Sequence, residues 1–154
     1  MQNRRRCSVS AAIAALAAML LVGAVAHAMH GAGSPAKHKI AYQLSEAGVD
    51  KAKFVLGNIR NHIAGVGADR VEAIELIVFG PALKGFVVAE LDPGVKLTLE
   101  QLQTQGLAFG VCANTMKNFS IALAQLPEGS RPLPQGGVVR LMEVQEQGYA
   151  VIHP

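Results

Sequence analysis

The chain has little cysteine, with only Cys7 and Cys112 among its 154 residues. Cys7 lies in a predicted export signal, so a single thiol remains in the mature chain and no internal disulfide can form there. A lone thiol in an oxidising compartment is either a buried cysteine that packs as a small apolar side chain or a reactive group. Composition alone favours the packing role.

Several signatures of catalytic and metal sites are absent as well. No glycine-rich phosphate loop follows a predicted strand, and no Gly-x-Ser-x-Gly elbow occurs. His38, His62 and His153 are far apart and do not have the spacing of metal ligands. The sequence therefore predicts neither a bound metal nor a cofactor.

Residues 1–28 predict an export signal. Three arginines at positions 4–6 precede an apolar, alanine-rich stretch over residues 8–25 and a small-x-small site that ends at Ala28. The alternative is an uncleaved membrane anchor, because the apolar stretch is about long enough to span a bilayer. We expect cleavage after Ala28, a flexible lead-in over residues 29–37 and one domain over residues 38–154. The mature protein would be periplasmic or secreted and free of the membrane.

The positive charge of the chain leaves with this signal. Three of the fourteen basic residues lie in it, so eleven basic residues face eleven acidic ones in the mature part. No basic run remains, and the sequence therefore predicts no binding to nucleic acid. Two of the acids, Glu72 and Glu75, lie in the beginning of a predicted strand, where we expect them to project into solvent or into an oligomer contact.

Predicted strands and helices alternate along the domain, which favours a parallel sheet with helices on both faces, an α/β sandwich. Strands are predicted over residues 39–44, 71–79, 107–111 and 149–153. The first helix is predicted to begin after Asp50, its N-cap, and to end at the glycines at positions 65 and 67. Thr98 is the predicted N-cap of a helix over residues 98–105. Further helices are predicted over residues 83–90, 114–125 and 137–147. Residues 127–134 are predicted to be a proline-rich connection.

Cys112 occupies the point where the third predicted strand ends and a helix begins. Helix dipoles and free backbone N–H groups at such a point lower the cost of a thiolate or persulfide. Parallel sheets bind ligands beyond the carboxyl ends of their strands. We therefore predict Cys112 as the catalytic residue, with a substrate-binding rim formed by Ser45, Gly80, Pro81, Asn114 and Thr115. Helix capping is the other role open to Asn114 and Thr115.

Residues 106–116, with the sequence Gly-Leu-Ala-Phe-Gly-Val-Cys-Ala-Asn-Thr-Met, resemble the DsrE/DsrF-like family. In that family a strand ends in a cysteine that a helix follows, and the Cys-x-Asn-Thr-Met form is similar to a secreted branch of it. Residues 39–45, 78–83, 134–139 and 147–150 resemble the same branch, so that the likeness covers nearly all of residues 38–154.

The resemblance implies a three-layer α/β sandwich with about five mostly parallel strands and assembly into trimers or hexamers. Cytoplasmic members, in the DsrEFH and TusBCD complexes, carry sulfur as a cysteine persulfide, and Cys112 matches their sulfur-accepting cysteine by position. It thus implies an exported sulfur carrier with a protein donor or acceptor, which requires a Cys112 thiol that solvent can reach. Two alternatives remain open: a non-catalytic oligomeric binding or scaffolding protein with a structural cysteine, and a small-molecule or anion binder at the rim.

Overall fold

Five parallel strands form one sheet in the order β4-β3-β2-β1-β5. A computed structural model describes residues 36–154, so the predicted signal and most of the lead-in lie outside the described residues. Residues Lys37–Pro154 belong to one compact unit. The strands are β1 His38–Leu44, β2 Val71–Val78, β3 Leu107–Cys112, β4 Ser130–Leu133 and β5 Ala150–Ile152.

Helices connect the strands, as the right-handed crossover of parallel strands requires. The α-helices are α1 Val49–Val66, α2 Pro93–Thr104, α3 Ala113–Asn118 and α4 Gly137–Glu146. Short 3₁₀ helices are found at Ala68–Arg70, Gly80–Phe86 and Leu123–Gln125. None of the helices within residues 36–154 has the length and apolar character needed to cross a membrane.

The two faces of the sheet are covered unequally. One face packs against α1, α2 and the Gly80–Phe86 helix in a large apolar cluster, in which Leu76 and Phe109 are fully buried. The opposite face has a small cluster to which α4 is the only described helix that contributes. Strand alternation places Ile77 and Cys112 on this second face, which is called the α4 face below. The predicted α/β sandwich with helices on both faces is confirmed.

The second strand corrects one expectation about its acids. Glu72 is exposed and lies 3.4 Å from the ammonium of Lys39. Glu75, in contrast, is 7% exposed and points to the α4 face, because strand alternation puts it on the same side as Ile77. It therefore does not project into solvent.

The prediction of a loop over residues 127–134 is wrong, because this segment contains β4. Pro132 lies within the strand, directly opposite Val111 of β3. Proline is tolerated there because β4 is an edge strand, whose outer backbone groups need no partner in the sheet. The strand has only four residues and contains a proline, so the alternation of apolar and polar residues that identifies strands in a sequence is missing.

Two predicted helix starts are also wrong. Helix α1 begins at Val49 after Gly48, and no side chain caps it, so Asp50 lies in the first turn. Helix α2 begins at Pro93, where the carboxylate of Asp92 accepts hydrogen bonds from the N–H groups of Gly94 and Val95 at 2.9 and 3.0 Å. Aspartate at the N-cap followed by proline at N1 starts a helix, and the observed cap lies six residues before the predicted one.

The helix after Cys112 is much shorter than predicted. It ends at Asn118, and Ser120 adopts a left-handed backbone conformation with φ of 54°, in which an α-helix does not continue. The next helical residues form only the 3₁₀ turn Leu123–Gln125. The continuing apolar residues in this segment pack against the main cluster from a loop instead.

Candidate functional site

Cys112 is the last residue of β3 and the N-cap of α3. It pairs in the sheet with Leu133 of β4, and its side chain lies on the α4 face. The residue is only 5% exposed. Its sulfur is therefore less accessible to solvent than the sequence-based prediction of a reachable thiol requires. It lies nevertheless at the carboxyl end of β3, two residues before the exposed residue Asn114.

The pKa of the Cys112 thiol is lowered, although its burial by itself would raise that pKa. Hydrogen bonds to the sulfur outweigh this desolvation. They come from the hydroxyl and the backbone N–H of Thr115 and from the backbone N–H groups of Gly137 and Asn114. Each of these donors is electrically neutral, so the preference for the thiolate comes from oriented dipoles and needs no lysine or arginine beside the sulfur.

Thr115 connects Cys112 with the carboxyl end of β2. Its Oγ1 accepts a hydrogen bond from the backbone N–H of Gly80 at 2.9 Å, and the same hydroxyl donates to the sulfur of Cys112. The side chain is 7% exposed, so this chain of donors is shielded from water. Gly80 has a positive φ of 61°, a conformation that glycine adopts without strain.

A pair of glycines brings the first turn of α4 against the thiol. A Cβ on Gly136 would lie 2.9 Å from Nδ2 of Asn114, and a Cβ on Gly137 would lie 2.8 to 3.0 Å from the side chain of Phe79. Both glycines are buried. Only residues without side chains allow this approach, which delivers the N–H of Gly137 to Cys112.

The structure brings the predicted site residues together to different degrees. Gly80, Asn114 and Thr115 contact Cys112 or one of its donors, as described above. The backbone carbonyl of Ser45 accepts a hydrogen bond from the N–H of Ala82 at 3.2 Å, and a Cβ on Gly80 would lie 3.4 Å from the same oxygen. Pro81 is exposed and lies in the first turn of the Gly80–Phe86 helix. The roles of these residues in binding a substrate stay predictions.

Sequence reasoning missed Gly137, the donor from α4. It lies far from Cys112 in the chain, and only the fold brings the two residues together. The consecutive glycines at positions 136 and 137, at the start of a predicted helix, are the signal that could have identified it, because a Gly-Gly pair there permits close approach to a neighbouring group.

Other features of the described residues do not suggest a second centre of chemistry. Within residues 36–154 no three His, Cys, Asp or Glu side chains converge as metal ligands. A surface cleft of about 420 Å³ is open and polar and lies near Leu107, at the opposite end of β3 from Cys112. It therefore lies apart from the hydrogen-bond donors assembled at Cys112.

Comparison with known proteins identifies the fold. No protein-family model and no curated protein sequence matches the chain. The structure of MTH1491, a protein of unknown function from Methanobacterium thermoautotrophicum, is similar with a TM-score of 0.66 and 22% identity, over 77% of this chain and 100% of that one. The ychN protein from E. coli is similar with a TM-score of 0.57 and 13% identity, over 76% and 99% of the two chains. Both have a DsrE-like fold, and so does this chain.

Proposed function

We propose that this DsrE/YchN-like protein is an exported sulfur carrier of the secreted DsrE/DsrF-like branch, and that Cys112 holds the sulfur as a persulfide. The observation that supports this most strongly is the lowered pKa of a buried thiol. A cysteine that only fills space in a core has a raised pKa, because nothing offsets the loss of solvation. Four neutral donors directed at one sulfur instead favour an anion at that position.

The transfer step needs no cofactor. The Cys112 thiolate attacks the outer sulfur of a donor persulfide, a bond forms between the two sulfur atoms, and the sulfur–sulfur bond of the donor breaks. The donor cysteine leaves as a thiolate, and Cys112 becomes a persulfide. One sulfur atom changes partner without net oxidation or reduction, and the reverse step delivers it to an acceptor thiolate.

The narrow access at Cys112 is compatible with this cargo. The group that enters is a single sulfur atom, so the site does not need a pocket for a larger substrate. The same donors that stabilise the thiolate would stabilise the ionised persulfide, which carries its negative charge one atom further out. Their neutrality also permits release, because no buried cation would be left unpaired.

A non-catalytic oligomer with a structural cysteine is the second candidate. The observation in its favour is the 5% exposure of Cys112, which is typical of a packed side chain. In that case the donors around the sulfur would serve only to join α3, α4 and β2. The two candidates differ in whether the native thiol reacts.

The experiment exposes the full chain carrying Cys7→Ser to a small-molecule persulfide and measures the mass of the intact protein. The carrier proposal predicts a gain of about 32 Da, one sulfur atom, that peptide mapping assigns to Cys112. The control with Cys112→Ser should gain nothing. A native protein that neither gains sulfur nor reacts with small alkylating reagents, while the urea-unfolded protein does react, would support the structural candidate.

Assembly of identical subunits belongs to the same proposal. Parallel sheets are ordinarily covered on both faces, and α4 alone covers one face here within the described residues. Three large apolar side chains on this helix are 41 to 68% exposed: Val138, Val139 and Met142. A second copy of the chain, packed on the α4 face in a trimer or hexamer, would bury them.

Sedimentation of matched variants tests the assembly. Val138→Lys combined with Met142→Lys should dissociate the oligomer. Phe54→Lys combined with Leu97→Lys should not, although both side chains are 57% exposed, because they belong to α1 and α2 on the other side of the sheet. A protein that sediments as a monomer at all concentrations contradicts the proposed assembly.

Export is tested separately by fractionation of cells that express the full chain. The mature protein should occur outside the cytoplasm with an N-terminus at Met29, as the predicted cleavage after Ala28 requires. A full-length chain retained in the membrane fraction would favour the uncleaved anchor.

A further inference from the structure

Glu75 is a carboxylate in the interior of the sheet, on the same face as Cys112. It lies in the central strand β2 at 7% exposure. A buried carboxylate is costly unless a cation and hydrogen bonds compensate it. The persulfide chemistry proposed above does not use Glu75, so its presence near the site calls for a separate explanation.

Arg140 of α4 compensates this charge with a two-pronged contact. Its Nη2 lies 2.8 Å from Oε2 of Glu75, and its Nε lies 3.1 and 3.2 Å from the two carboxylate oxygens. The Arg140 Nη1 also contacts Glu143 at 3.3 Å, and Gln135 donates to the same Glu143 oxygen at 2.7 Å. The bidentate contact between Arg140 and Glu75 fixes both the distance and the orientation of α4 relative to β2.

The neighbouring strand leaves room for the ion pair. A Cβ on Gly110 of β3 would lie 3.0 Å from Oε1 of Glu75 and 3.0 Å from Cδ1 of Leu133. Gly110 is therefore the position at which the sheet accommodates the carboxylate. The space for Glu75 is built into β3 two residues before Cys112.

The ion pair acts on the first turn of α4, where the donor to Cys112 lies. The backbone N–H of Arg140 donates to the carbonyl of Gly136 at 3.0 Å, which closes that first turn. The N–H of Gly136 in turn donates to Leu133, the sheet partner of Cys112, at 3.0 Å. An arginine locked to β2 thus holds the Gly136–Gly137 turn at a fixed position beside β3.

We propose that Glu75 and Arg140 are positioning residues, whose ion pair anchors α4 so that the N–H of Gly137 is held against the sulfur of Cys112. The biological purpose of this positioning rests on the proposed function. The effect on the Cys112 thiol does not, because it can be measured without any sulfur transfer. The pair itself contacts no substrate and no reacting atom.

The charge of Glu75 makes positioning distinguishable from direct electrostatics. If Glu75 acted on the thiolate through space, its neutralisation would remove a negative charge and favour ionisation of Cys112. If it positions α4, its neutralisation weakens the Gly137 hydrogen bond and disfavours ionisation. Replacing both charges leaves the net charge of the pair at zero, so the through-space effect is smaller than in the single variant while the loss of the anchor remains.

The other charged side chains near the site do not affect the comparison between the Glu75 variants and the parent. Besides the pair itself, the charged residues on the elements around Cys112 are Glu72 of β2, Lys117 of α3, Arg131 of β4, and Glu143 and Glu146 of α4. All of them are unaltered in the two Glu75 variants used below. The hydrogen bonds that lower the pKa of Cys112 come from neutral groups.

The test measures the rate of alkylation of Cys112 by iodoacetamide as a function of pH, in full chains that carry Cys7→Ser. The midpoint of the profile reports ionisation, and its high-pH plateau reports access. The variants are Glu75→Gln and Glu75→Gln combined with Arg140→Gln, whose two amides can still form a hydrogen bond. Glu146→Gln, which removes an exposed charge from the last turn of the same helix, is the matched control.

Positioning predicts that both Glu75 variants shift the midpoint to higher pH and lower the rate near neutral pH about tenfold, the effect of losing one hydrogen bond to a charged group. The control should titrate like the parent. A downward shift in Glu75→Gln, or an unchanged midpoint in a double variant with the parent's circular dichroism, overturns the proposal. If the single variant does not fold, the double variant decides, because it leaves no unpaired buried charge.

Failure of the proposed function would look different. If Cys112 never accepts sulfur in the mass experiment while the midpoints shift as stated, the positioning role stands and the carrier role is wrong. If sulfur is accepted and the double variant titrates like the parent, the carrier role stands and the positioning role is wrong.

Discussion

The Oγ1 atom of Thr115 accepts a hydrogen bond of 2.9 Å from the backbone N–H of Gly80. The hydroxyl can therefore direct its own proton at Cys112, whose pKa it helps to lower. Gly80 follows β2, and Thr115 lies in the first turn of α3, so one side chain joins two elements at the edge of the sheet.

Replacing Thr115 by valine should weaken both the site and the fold. Thr115→Val keeps the volume but removes the acceptor of Gly80 and a donor to Cys112. We expect slower alkylation of Cys112 near neutral pH and a loss of about 1–3 kcal/mol in the free energy of unfolding, since the Gly80 N–H is left unpaired. Urea unfolding and alkylation rates measure the two effects. Thr115→Ser, which keeps the hydroxyl, should resemble the parent, and equal losses in both variants would contradict the role of that hydroxyl.

A methyl group on Gly137 should move α4 away from the thiol. In Gly137→Ala the new Cβ would meet the side chain of Phe79 at 2.8 to 3.0 Å, closer than packed atoms tolerate. We expect a destabilisation of about 1–3 kcal/mol and reduced ionisation of Cys112. The control is Gly57→Ala in α1, where nothing lies within 4 Å and alanine should stabilise the helix by about 0.5–1 kcal/mol. Unchanged ionisation in Gly137→Ala would show that this donor is dispensable.

The Cys112 thiol should make the free energy of unfolding increase with pH. The pKa of Cys112 is lower in the folded chain, so the unfolded chain binds the extra proton in the window between the two pKa values, and stability rises with pH there. The contribution is complete above the ordinary pKa of the unfolded thiol and lost as pH falls through the folded pKa. Unfolding free energies of the parent minus those of Cys112→Ser should therefore increase with pH. A difference that decreases with pH would indicate a raised pKa.

The start of α2 can be assigned by substitution. Asp92→Ala removes the acceptor of two backbone N–H groups and should lower the urea midpoint. Thr98→Ala should have the smaller effect, because the Thr98 hydroxyl only donates to the carbonyl of Gly94 inside the helix at 2.7 Å. Asp92→Asn, which keeps a capping oxygen, is the control. The reverse ranking of the two alanine variants would contradict the observed cap.

Apolar periodicity was enough to predict most of the fold. It located β1, β2 and β3, and the alternation of Ile74 and Leu76 with Ile77 correctly indicated that both faces of β2 are covered. It failed at β4, where Pro132 interrupts a four-residue strand. It also failed after Asn118, because apolar side chains reach the core from a loop as well as from a helix.

The candidate site was only half visible in the sequence. Cys112, Asn114 and Thr115 are neighbours in the chain, so the strand end and the helix start predicted them together. The donor from Gly137 and the pair formed by Glu75 and Arg140 depend on how α4 packs across the sheet. Local pattern does not specify that packing, and Glu75 was therefore expected on the surface.

The ionisation of Cys112 in the native protein tests the central claim most directly. The ultraviolet absorbance of the thiolate can be titrated in the folded chain carrying Cys7→Ser and in the same chain unfolded in urea, with Cys112→Ser as the blank. The account predicts a lower pKa in the folded chain than in the unfolded one. A folded pKa equal to or higher than the unfolded value would contradict it.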